Sequence, residues 1–121
     1  MVNYLPAYQQ LLQRGIAVFD KLLALYTPDK AAAKDWATIS VMQTQAQRNS
    51  LAERLADPPP QLTAEETASV TTSIGHYIDG HWADYRELPT ANPQKHAQVV
   101  ALHAELEAIL ASIAPIHNAL R

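Results

Sequence analysis

Cysteine is absent from the 121 residues. That excludes disulfides, thiolate metal sites and cysteine nucleophiles, and it fits a reducing compartment. Glycine is scarce, with three in the whole chain. All three fall in stretches that read as helix, and neither a phosphate-cradling glycine loop nor a Gly-x-Ser-x-Gly nucleophile turn occurs. Charge of one sign is nowhere concentrated. The nine Lys and Arg residues are scattered, the formal net charge is -3 and the pI is about 5.9. This argues against nucleic acid as the main partner, because phosphate binding needs a concentrated basic surface. Long apolar runs are lacking as well. The longest uncharged one, Ala108 to Leu120, is too short to span a bilayer and carries Pro115 and His117. Met1-Val2-Asn3-Tyr4-Leu5-Pro6 has no basic start followed by an apolar core. The sequence therefore predicts a cytoplasmic protein that does not contact membrane.

What the chain does have is helical periodicity, with no segment alternating like a strand. Hydrophobic residues make up 48% of it, enough for one packed domain over residues 1–121. A first helix is predicted over about 3–26. Asn3 caps it, Pro6 sits in its first turn, and Leu5, Leu12, Phe19 and Tyr26 recur every seventh residue. Thr27-Pro28 then reads as cap plus first helical residue of a second helix over about 28–56. Its front half carries Ala31, Ala32, Trp36, Ile39 and Met42, but the run Gln43 to Ser50 is polar on every face. This helix is expected to be the most exposed of the set.

Asp57-Pro58-Pro59-Pro60-Gln61 is the clearest break, since prolines in series cannot continue a helix. Thr63-Ala64-Glu65-Glu66 follows as a capping box, with Thr63 accepting from the helix and Glu66 returning a bond to Thr63 N–H. The third helix is predicted over about 63–88. It carries an apolar row through Val70, Ile74, Tyr77, Ile78, His81, Trp82 and Tyr85, with Gly75 and Gly80 inside it. Glycines there imply close packing or a bend. Asn92-Pro93 opens the fourth helix, about 93–120. Val99, Leu106, Ile113 and Leu120 form one heptad row and Leu102, Ile109 and Ile116 the other. Pro115 should kink this helix or end it near Ala114. Four helices with short connections predict an all-α, single-domain antiparallel four-helix bundle.

The densest chemistry lies between Ile74 and Arg86. His76 neighbours Asp79, and His81 neighbours Asp84, at i, i+3 spacing. His76 and His81 point about 140° apart on a helix of 3.6 residues per turn, so one helix cannot present both to one metal. The His-x-x-x-His and Glu-x-x-His elements of helical metal sites are absent. His76 and Asp79 read as a solvent-facing polar pair, and His81 as a partly buried bundle residue. Asp79, Asp84, Glu105 and Glu107, the carboxylates available for acid–base work, look exposed. His96, His103 and His117 share one flank of the fourth helix and read as half-exposed residues beside its seam, where they would make an interface pH-sensitive. Trp36, Tyr77, Trp82 and Tyr85 suit either core filling, a ligand pocket or a partner interface. Gln43 and Gln47 mark either a solvated face or a polar contact surface.

In size, acidity and helical layout the chain is similar to small bacterial helical adaptors, such as flagellar export chaperones and bacteriocin immunity proteins. That likeness implies the fold class and carries over no residues. The sequence thus predicts a non-enzymatic binding or adaptor protein without a catalytic site, metal or cofactor. Its expected partner is a protein, or a second copy in a homodimer. The candidate contact residues are Trp36, Gln43, Gln47, His76, Tyr77, Asp79, His81, Trp82, Tyr85 and His103. The alternatives are a ligand- or metal-binding bundle using the His76–Trp82 segment, and a structural protein that self-associates through the seam of its fourth helix.

Overall fold

Four helices form in the order the periodicity predicts: α1 (Leu5–Tyr26), α2 (Asp35–Ala56), α3 (Ala64–Tyr85) and α4 (Pro93–Leu120). The computed structural model describes residues 3–26, 35–85 and 93–121, with side chains for residues 3–25, 41–80, 94 and 96–121. The predicted start of the second helix at Thr27-Pro28, its residues Ala31 and Ala32, and the end of the third at Leu88 lie outside the described residues. Among the described residues there is no strand.

The helix starts are set by local chemistry. Asn3 Oδ1 accepts from Leu5 N–H at 3.1 Å, which satisfies a donor that the first turn leaves free. Thr63 Oγ1 does the same for Glu66 N–H at 3.2 Å. Only this half of the predicted capping box forms. The Glu66 carboxylate turns away from Thr63 and bonds instead to Tyr8 and Arg54, because a charged tertiary partner is a stronger match for a carboxylate than one backbone N–H. Pro115 does not end α4, which runs on to Leu120. Pro115 is exposed, so the carbonyl it leaves free can face water. Ile113 and Ile116 on either side are buried and hold that turn against the core.

Each helix packs on its neighbours in chain order, and α1 closes the ring against α4. Specific pairs fix the directions. From α2 to α3 the pairs are Thr44–Tyr77, Gln47–Ser73 and Arg54–Glu66, so numbers climb on one helix as they fall on the other. Asp20–Arg48 and Gly15–Leu51 show the same for α1 and α2. Thr67 near the start of α3 meets His117 near the end of α4. Lys21 and Leu25 share a groove with Gln98 and Leu102, whereas Tyr4 lies by Leu120. All four neighbouring pairs are antiparallel.

The core takes Tyr8, Leu12, Phe19 and Leu22 from α1; Val70, Ile74, Tyr77 and Ile78 from α3; and Val99, Leu106, Ile109 and Ile113 from α4. Burying each such Leu, Ile or Phe stabilises the fold by about 1.5–3 kcal/mol. The described part of α2 adds Leu51 and the hydroxyl residue Thr44, in line with its polar sequence. The heptad seam of α4 is filled by this chain's own helices.

The three glycines separate into two kinds. A Cβ on Gly15 would lie 2.8 Å from Leu51 Cδ1, so α1 and α2 approach closely there. Around Gly75 and Gly80 a Cβ would meet nothing within 4 Å. Among the described residues nothing packs closely at these two positions, and neither has positive φ.

Candidate functional site

Of the sequence-predicted site residues, Trp36, His81, Trp82 and Tyr85 have side chains outside the described residues. The others divide between surface and core. Gln43 stands exposed on α2, and His76 and Asp79 stand exposed on α3. Tyr77 and His103 lie inside the bundle, with 6% and 1% exposure.

Tyr77 is a packing node rather than a contact residue. Its ring meets Phe19 edge-on at 5.1 Å and 85°, an arrangement that the aromatic quadrupole favours. Its phenol oxygen lies 2.7 Å from Thr44 Oγ1. One side chain of α3 thereby ties α1 and α2 together. Gln47 is also engaged within the fold: its amide donates to Ser73 Oγ at 3.0 Å, and the Ser73 hydroxyl donates back to Gln47 Oε1 at 3.1 Å.

His103 corrects the reading of the α4 histidines as half-exposed residues beside a seam. The flank Gln98, Leu102 and Glu105 lies on the α1 groove, and His117 on the opposite flank meets α3. His103 shares that α3-side flank and sits next to the core residues Val99 and Leu106 in the helical repeat. The core therefore closes over it. Burial disfavours its charged form and lowers its pKa from 6.5 to about 4. His96 and His117 are half-buried. The Thr67 hydroxyl has one proton. Given to the Ala64 carbonyl at 2.9 Å, it leaves the oxygen to accept from His117 Nδ1–H at 2.8 Å.

A polar network that the sequence did not reveal ties three helices at one end of the bundle. Tyr8 donates its phenol proton to Glu66 Oε1 at 3.3 Å, Arg54 forms an ion pair with Glu66 Oε2, and Arg54 Nη2 donates to Ser69 Oγ at 3.3 Å. Burial, and then the Glu66 charge, push the Tyr8 phenol above its ordinary value, while Arg54 opposes them. The signal available was Glu66 in its capping position. Its partners lie 58 and 12 residues away, and no local pattern names them. Beside this network a cleft of about 730 Å³ opens between the end of α2 and the proline connector, lined by Glu53, Arg54, Asp57, Glu66 and Pro58 to Pro60.

The outer face of α4 is the other unusual surface. Ala97, Ala101, Ala104, Ala108 and Ala111 are exposed along it, and Val100 is 39% exposed. From Ala97 to Leu120 Glu107 is the only exposed charged residue, with Glu105 half-buried. The segment His96–Leu120, its two glutamates included, is long and apolar enough to cross a membrane by length and composition, and 33% of its most apolar window is buried in the bundle. Among the described residues no three His, Asp or Glu side chains gather in a way that would hold a metal ion. No protein-family model, no curated protein and no solved structure matches the chain.

Proposed function

We propose that this chain is a small, non-enzymatic helical module that binds another protein through the outer face of α4. The single observation behind this is the lack of charge on that face, where Glu107 alone is charged and exposed over the length of the helix past Ala97. Soluble surfaces ordinarily carry about 25–35% charged residues, and the centres of protein interfaces are depleted of charge. Alanines also let a second helix approach closely, toward the short end of the usual separation of about 8–10 Å between axes. The occupant that fits is an apolar face of a partner helix. The alternative of a metal or small-ligand site on the His76–Trp82 segment has less behind it. His76 and Asp79 stand in solvent, and Tyr77 is engaged by Phe19 and Thr44.

The test places charge on the face. Ala104→Glu and Ala111→Lys alter exposed positions, so the folded stability should stay within about 0.5 kcal/mol of the parent. The parent, immobilised and exposed to extract of its source cell, should retain a protein that both variants lose, while Gln13→Glu on α1 retains it. Sedimentation of the purified chain shows whether that partner is a second copy. Identical capture by the parent and the α4 variants would overturn the proposal, and so would no capture at all.

A further inference from the structure

We draw no further inference here: the strongest candidate, the cleft between the end of α2 and the Pro58–Pro60 connector, is a cluster of acidic side chains (Glu53, Asp57, Glu66) around one cation, and its half-buried Tyr8–Glu66–Arg54 network is already satisfied within the protein and so points to no ligand.

Discussion

The phenol of Tyr77 and the hydroxyl of Thr44 meet 2.7 Å apart inside the bundle, at 6% and 0% exposure. Removing either member takes this buried hydrogen bond from the other, and removing both loses the same bond only once. Tyr77→Phe keeps the ring on Phe19 and should cost about 1–3 kcal/mol of stability, as should Thr44→Val. The double variant should lose clearly less than the sum. Urea unfolding of the four proteins measures this, and strictly additive losses would show that the hydroxyl pair contributes nothing.

Gly15 and Leu51 carry a steric prediction. Alanine at Gly15 gains about 1 kcal/mol of helix propensity but drives a Cβ to 2.8 Å from the Leu51 Cδ1 methyl. Leu51 is only 2% exposed and has little room to yield, and overpacking of this kind costs about 1–3 kcal/mol. Gly15→Ala should therefore destabilise by about 1 kcal/mol. Leu51→Ala costs about 2–5 kcal/mol by itself; in that background Gly15→Ala should turn stabilising. An equal effect in both backgrounds would rule out the close contact as the cause.

Gly75 and Gly80 should behave in the opposite way. Each has open space where a Cβ would go and lacks positive φ. Gly75→Ala and Gly80→Ala should each raise stability by up to about 1 kcal/mol, with a matching rise in Tm. A loss at either position would mean that something packs against it in solution.

His103 predicts a pH dependence with a definite sign. Unfolded, its imidazole titrates near 6.5; folded, burial lowers it to about 4. Between these values the unfolded chain binds more protons, so stability is lost as pH falls from about 6.5 through about 4, and is fully present above 6.5. Keeping the ring neutral is worth about 3 kcal/mol, because a tenfold change in proton affinity corresponds to about 1.4 kcal/mol. His103→Leu should flatten the stability profile in this window and leave its slope above about pH 7 unchanged. An unchanged profile would locate the acid sensitivity elsewhere.

How far the sequence could be read depends on whether the signal is local. Asn3 and Thr63 mark helix starts because a cap acts on backbone groups two or three residues away. The rows Leu12–Phe19 and Val99–Leu106–Ile113 mark buried stripes because helical repeat maps spacing onto direction. The same logic misplaced His103 and left Tyr77 open between core, pocket and interface. α4 is apolar nearly all round, so its sequence does not say which flank of the seam turns inward. Tyr77 has a ring suited to an interface and a hydroxyl suited to water, and Thr44 on another helix gives that hydroxyl a partner inside.

By itself, then, the sequence determined the helices, their order and the rows that face inward, since each follows from contacts within one or two turns. The tertiary structure alone decided that Glu66 serves Tyr8 and Arg54 instead of completing its cap, that Gly15 is packed while Gly75 and Gly80 are open, and that His103 is sealed in the core. Each of these depends on where a neighbouring helix lies, and that position is set by side chains distant in the sequence.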